Sequence, residues 1–377
     1  MNTHKKIGII TMHRVQNYGS VLQAYALVKY ISKLGYESRV IDYIFPNKYH
    51  VRRSRNCKVG LIARLKFRLL YRVKTQRNRF LKFIKDYLDV TDSTYETREA
   101  ILTSLPIFDI YVTGSDQVWN FESMNGDPTF FCDFANDKPR ISYASSFAQD
   151  VISEDYKDSY ASLLQRYEML GVRELSAVNI IRNLTGKSAE VVCDPTLLLT
   201  AAEYGALKSN KRINNGKPYI LAYILDYAYK PYPTIIKVIE KARKELGMDV
   251  IYLHSNSVNN YHFGKSITGA GPKEFLQLIS QAAFVVTSSF HGVAFSLNFG
   301  VPFYAITPDT SKDDRIISLL KKVDAQSRAI PVGTPMERVD FSCAMDYDEI
   351  ESNLNSYREY SQEFLARSLK KCTDING

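Results

Sequence analysis

The chain has 377 residues, about two and a half times a modal domain of roughly 150 residues, so two compact domains are expected. Hydrophobic residues make up 45% and charged residues 24%, with 26 Tyr and 19 Phe, which excludes a wholly disordered, collagen-like or coiled-coil chain. Net charge is +9, but 13 Lys or Arg and no acid stand between Val51 and Lys85, which leaves the remainder at −4.

No run approaches the ~20 apolar residues of a membrane-spanning helix, and the opening MNTHKKIGIITMHRVQNYGS has only a short apolar stretch. The five cysteines, Cys57, Cys132, Cys193, Cys343 and Cys372, are scattered and never spaced CxxC, which argues against a disulfide framework or a zinc site. A reduced, cytoplasmic protein is expected.

In chain order, KIGIIT (Lys6 to Thr11) reads as a strand, SVLQAYALVKYISKLG as a helix ending at Gly35, and SRVIDYI (Ser38 to Ile44) as a second strand. Strand, helix and strand in 44 residues is the pattern of a crossover onto a parallel sheet. In the basic segment Leu61, Leu65, Leu69, Phe80, Phe83, Ile84 and Leu88 recur at spacings of three and four, which predicts one or two basic amphipathic helices. A solvated helical hairpin explains that segment; so does a surface for an anionic membrane or for a substrate bearing a polyphosphate. Nucleic acid is disfavoured, since no helix-turn-helix, RNP-like or finger pattern accompanies the charge.

Strands are then expected at FDIYVTGSDQVWN (Phe108 to Asn120) and ISYASSFA (Ile141 to Ala148), helices over about Asp155 to Leu170 and on to Leu184, and a strand at AEVVCDP. From about Lys217 the alternation restarts with PYILAYIL, TIIKVIEKARKELG, DVIYLHS, GPKEFLQLISQA, AFVVTSS, HGVAFSLNFG and VPFYAI. The expected fold is α/β: two Rossmann-like domains facing a cleft. The first spans 1–205 with a basic insert at about 51–90, the second spans 206–345, and a helix at 346–377 packs across the body. In such sheets ligands lie beyond the carboxyl ends of the strands, so the loops TMHRVQNYGS, TGSDQ, REL and TSSFHG and the segment after Ile306 are where chemistry is sought.

The chain lacks GxxxxGK[ST], HExxH, GxSxG and EF-hand patterns. TGAGPKEF (Thr268 to Phe275) offers an ordinary turn or an anion seat before a helix, and Asp346 with Asp348 suits a helix start better than a metal-binding DxD. Trp119 is either a sugar-stacking platform or core.

Four segments taken together are more specific: NYGSVLQAYAL (Asn17 to Leu27), TGSDQVWN (Thr113 to Asn120), VRELS (Val172 to Ser176) with DPTLLL (Asp194 to Leu199), and TSSFHGVAFSLNFGVP (Thr287 to Pro302). At these residues the chain resembles the polysaccharide pyruvyl transferase family, over roughly 6–325. The resemblance implies an architecture similar to GT-B glycosyltransferases, phosphoenolpyruvate as donor, a sugar of a polysaccharide or of its lipid-linked precursor as acceptor, a cyclic pyruvate ketal as product, and no cofactor.

A donor with a phosphate and a carboxylate needs cations and oriented donors, which Arg173 and His291 supply. Ketal formation moves two protons, for which His291 and Asp116 are the candidates. Family members commonly read S-x-R-L-H-G in the last motif. Here Thr287, Ser288, Ser289, Phe290, His291 and Gly292 stand there, so Ser289 replaces the arginine and Arg315 is the candidate substitute. Donor-binding candidates are thus Arg173, His291, Ser289, Gly292 and Arg315, while Asn17, Gly19, Ser20, Ser115 and Gln117 form an acceptor or anion loop. Each has a plainer reading: Ser20 and Asp116 as caps, Arg173 as a salt bridge to Glu174. A nucleotide-sugar glycosyltransferase, or a non-catalytic glycan binder, remains open on the same fold.

Overall fold

A computed structural model of the chain describes residues 5–45, 63–208, 212–226, 228–254, 264–309, 314–342 and 345–375. The first sheet contains β1 (Lys6–Ile10), β2 (Glu37–Val40), β3 (Ile110–Thr113), β4 (Arg140–Ser145), β5 (Met169–Val172) and β6 (Glu190–Val191), in the order β2-β1-β3-β4-β5-β6. The second contains β7 (Tyr219–Ile224), β8 (Asp249–His254), β9 (Lys265–Ile267), β10 (Phe284–Thr287), β11 (Phe303–Thr307) and β12 (Ala329–Pro331), in the order β12-β11-β10-β7-β8-β9. Every ladder is parallel. The central strands are buried end to end, as in IYVT, YILAYI and FVVT, because helices cover both faces of a parallel sheet.

In the first half, helices α1 (Tyr18–Lys33), α2 (Ala63–Tyr87), α3 (Arg98–Ser104), α4 (Phe121–Met124), α5 (Glu154–Gln165) and α6 (Leu175–Thr185) surround the sheet. In the second, α7 (Thr234–Leu246), α8 (Pro272–Ser280), α9 (Phe290–Asn298) and α10 (Arg315–Lys322) do so, and α11 (Tyr347–Ile375) follows. The last helix buries Leu354, Tyr357, Phe364, Leu365, Leu369 and Cys372 and touches β3 and β4 as well as α9 and α10.

Topology decides where a ligand can sit. The chain leaves β1 toward β2 on one side and returns to β3 on the other, and it leaves β7 toward β8 and returns to β10. Each reversal opens a crevice at the strands' carboxyl ends. Ile10 pairs with Thr113 and Thr287 with Tyr223, so the loops flanking each crevice depart at one level.

The structure departs from expectation at one helix, adds two strands, and narrows the reading of the basic segment. Helix α5 stops at Gln165, short of Leu170, and Met169–Val172 is the strand β5; the apolar run MLGV is buried on both faces and carries no alternation to mark it as a strand. The short edge strands β9 and β12 carried no sequence signal. One helix, α2, covers Ala63 onward, while Arg52, Arg53, Arg55 and Lys58 lie outside the described residues. Gln76, Phe80, Phe83, Ile84 and Leu88 turn toward the core, and Gln76 donates to the Tyr18 hydroxyl (2.9 Å) while Arg79 reaches Gly269 O (2.9 Å). Helix α2 therefore joins α1 of one domain to α8 of the other.

Candidate active site

The loops at the two crevices meet in a cavity. It is lined by Asn17 and Asp116 from the first domain, and by Tyr229, Ser289, His291 and Arg315 from the second. Residues up to 298 positions apart in sequence thus share one site, which is why no single motif reveals it.

Asn17 ends the loop after β1 and caps α1, its side chain accepting from Gly19 N at 2.9 Å. Ser20 therefore is not the cap. It lies inside the first turn, and its hydroxyl donates to Asp116 Oδ2. Asp116 follows β3 at φ 82°, a strained conformation for a residue with a Cβ, held by Ser20 and by the Gln117 amide on Oδ1 (2.9 Å). Both carboxylate oxygens accept a hydrogen bond.

Gly19 is required for space. A Cβ there would stand 2.0 Å from His291 Cγ and Nδ1, so the imidazole of one domain rests directly on the first helical turn of the other. Gly292 is likewise forced, by Thr287 Oγ1 at 2.4 Å from a would-be Cβ; it supplies room rather than a ligand contact. Ser289 lines the cavity, but its hydroxyl caps α9 by accepting from Gly292 N (3.3 Å).

Behind the cavity lies a residue the sequence argument passed over. Asp194, 1% exposed, accepts from Thr196 N (3.0 Å) and Thr196 Oγ1 (2.8 Å) on Oδ1, and from Ser115 Oγ (2.8 Å) and Arg173 Nη1 (3.0 Å) on Oδ2. His291 Nε2 stands 3.6 Å from the same Oδ2, an ion-pair distance too long for a hydrogen bond. Burial alone would raise this carboxyl, but the charges of His291 and Arg173 and the Thr196 amide outweigh it and hold it well below the usual carboxylate range. Asp194 links Arg173 of the first domain to His291 of the second. Ser115 is thus withdrawn from the cavity as a buried support.

Arg173 is buried, its guanidinium 4.5 Å over the Phe290 ring. Its main partner is Asp194, not Glu174, whose Oε2 is 4.0 Å from Nε. Asp116 Oδ1 lies 3.9 Å from Nη2. Arg315 opens α10 and reaches into the same cavity. With its amide oxygen turned toward the guanidinium, Gln117 accepts from Arg315 Nη1 (2.5 Å) and Nη2 (3.1 Å). Ser176 Oγ donates to Asp314 Oδ1 (2.8 Å), another bond across the domains.

Asp194→Asn should cost about 3 kcal/mol, because a buried Arg173 loses its nearest counter-charge and keeps only Asp116 and Glu174, at 3.9 and 4.0 Å. The sign follows from the depressed pKa: the stabilisation is complete above the unfolded carboxyl value near 4 and fades as pH falls below it. Denaturant midpoints of wild type and variant should therefore converge as pH is lowered through 4 toward 2.

The plainer readings hold elsewhere. Trp119 has no exposed surface and stacks on Phe131 (5.3 Å between centroids), so it is core. Gly271 N, before α8, is taken by Glu274 Oε2 (2.9 Å) and flanked by Arg79, leaving an ordinary capped helix start. Asp346 caps α11 through Glu349 N (3.1 Å). Among the described residues no group of three or more His, Cys, Asp or Glu could hold a metal ion, and no helix is long and apolar enough to cross a membrane.

The fold is similar to that of Anabaena Alr3699/HepE in complex with UDP-glucose (TM-score 0.57, 9% identity, 99% of both chains covered). It is similar also to S. aureus MnaA with UDP (0.55, 13%, 98% of this chain and 97% of that). A third similar structure is the Methanocaldococcus jannaschii UDP-GlcNAc 2-epimerase with UDP-GlcNAc and UDP (0.53, 14%, 97% and 99%). These likenesses place the chain in the GT-B architecture. No curated protein matches it in sequence. The model of the polysaccharide pyruvyl transferase family matches residues 17–310, a stretch that contains Asn17, Asp116, Arg173, Asp194 and His291: the chain belongs to the polysaccharide pyruvyl transferase family.

Proposed function

We propose that this protein transfers pyruvate from phosphoenolpyruvate to a sugar of a cell-surface polysaccharide or its lipid-linked precursor, forming a cyclic ketal and releasing phosphate. One observation carries the reading: Arg315 lines a cavity with His291 and Asp116, framed by the first turns of α1 and α9, and Arg173 of the opposite domain stands directly behind it, 3.9 Å from Asp116. Two guanidinia suit the phosphate and carboxylate of the donor, and Arg315 takes the place of the arginine that Ser289 replaces.

In this reading His291, backed by Asp194, gives a proton to the methylene carbon as one sugar hydroxyl attacks the adjacent carbon and yields its proton to Asp116. Cleavage of the C–O bond to phosphate follows, with the bonding pair leaving on the phosphate oxygen. A second hydroxyl then closes the ring and passes its proton to the departing phosphate. The reaction is tested by incubating the protein with phosphoenolpyruvate and a panel of diol-bearing sugar glycosides. Phosphate and sugar-bound ketal should appear in equal amounts; turnover of a nucleotide sugar instead would favour a glycosyltransferase.

The basic helix belongs to the acceptor side of the proposal, gripping a precursor's diphosphate or an anionic membrane face. Because Phe80, Phe83 and Ile84 are buried in the core, contact with a membrane would be electrostatic only. Sedimentation with phosphatidylserine vesicles should show binding at low salt and none at about 1 M, where the Debye length is ~3 Å. Absence of binding at low salt removes the membrane from the account.

A further inference from the structure

Glu174 follows β5 and Arg173 and has no exposed surface. Its Oε1 accepts from the Ser146 hydroxyl (2.9 Å) and the amides of Phe147 (2.9 Å) and Ala148 (3.3 Å). Its Oε2 receives no hydrogen bond and faces Arg173 Nε across 4.0 Å. Arg173 Nε and Nη2 are likewise buried without a hydrogen-bond acceptor. Buried polar atoms are nearly always paired, so a leftover carboxylate oxygen beside two leftover guanidinium nitrogens is unusual.

The charges explain the arrangement. Three carboxylates, Asp116, Asp194 and Glu174, share Arg173, and Arg315 with Asp314 acts on Glu174 from α10 and the residue before it. Asp194 is held ionised. Glu174 is pushed the other way: burial first, then Asp314, lift it to about 6 against the pull of Arg173, Arg315 and the Ser146 hydroxyl. Tyr357, facing it from α11, is driven well above 10 by its own burial and stays neutral. An incoming anion adds negative charge beside Glu174, and like charge close by favours the neutral form of a carboxyl.

We propose that an anion entering the cavity lined by Arg315, in front of Arg173, is bound together with a proton captured on Glu174 Oε2, which removes the competing negative charge beside the Nε edge of Arg173. Glu174 is thus a positioning residue acting through Arg173. The inference rests on the reading of the cavity as the site of an anionic donor.

Calorimetric titration at pH 7 with sulfate and with phosphoenolpyruvate, in two buffers of different ionisation heat, counts the protons. Sulfate exchanges none near neutrality, so any uptake with it belongs to the protein. Wild type should take up on the order of half a proton per sulfate, with affinity falling about three-fold per pH unit from pH 6 to 8. Glu174→Gln, which keeps the bonds to Oε1, should bind with no uptake and with affinity level across that range. Ser146→Ala, which removes a donor from the carboxylate, should shift the pH dependence upward.

Undiminished uptake in Glu174→Gln would assign the proton elsewhere, to His291 first, and overturn the proposal. Anion binding by wild type without uptake would overturn it too, while leaving the donor reading intact. Failure of wild type to bind either anion would remove the donor reading and this inference with it.

Discussion

His291→Ala should lower turnover by about 10²–10⁴-fold, the range expected when a positioned proton donor is removed, while phosphoenolpyruvate affinity changes only a few-fold. The division follows from geometry. His291 stands 3.6 Å from Asp194 Oδ2, which orients the ring toward the cavity, whereas the donor's charges fall to the two arginines. The ring also rests on Gly19, so alanine opens a gap between the domains. His291→Gln, which fills more of that gap, separates the effects: turnover should stay low while thermal stability recovers. Steady-state rates and donor affinity for both variants check this, and an activity loss that recovers with stability in His291→Gln would show a structural role only.

Arg173→Lys should weaken phosphoenolpyruvate binding by about 10–100-fold, the worth of one or two charge-assisted hydrogen bonds. Lysine keeps the positive charge beside Asp194, so the fold survives. It loses the planar fork and the stacking on Phe290, which lies 4.5 Å below the guanidinium. Alanine is the harsher change, because three carboxylates then lie together with no cation from β5. Titration calorimetry of wild type and Arg173→Lys with phosphoenolpyruvate decides the matter, and equal affinities would take Arg173 out of the donor site.

The sequence made the sheets legible because fully buried parallel strands read as short apolar runs, such as KIGII and FVVT, and the carboxyl-end rule then pointed to the loops that meet in the cavity. Asn17, Asp116, His291 and Arg315 were all reached in this way. Asp194 was missed because DPTLLL reads locally as a capped turn; its side chain does cap Pro195–Leu197 through Thr196 N. Only the distant contacts to Arg173 and His291 give it a further part. Glu174 escaped for the opposite reason, since a neighbouring Arg–Glu pair looks self-sufficient until the 4.0 Å gap is seen. The exchange of Ser289 for arginine looked like a lost cation. Arg315, on α10, lines the same cavity as Ser289 from a position distant in sequence that no local pattern spans.

Thermal stabilisation of the purified protein by phosphoenolpyruvate, beside UDP and UDP-sugars, tests the central claim most directly, with Arg173→Lys and Arg315→Ala run in parallel. The account predicts a shift with phosphoenolpyruvate that both substitutions diminish and that UDP compounds do not reproduce. Stabilisation by UDP compounds alone, indifferent to Arg315, would contradict it and move the protein to nucleotide-sugar chemistry.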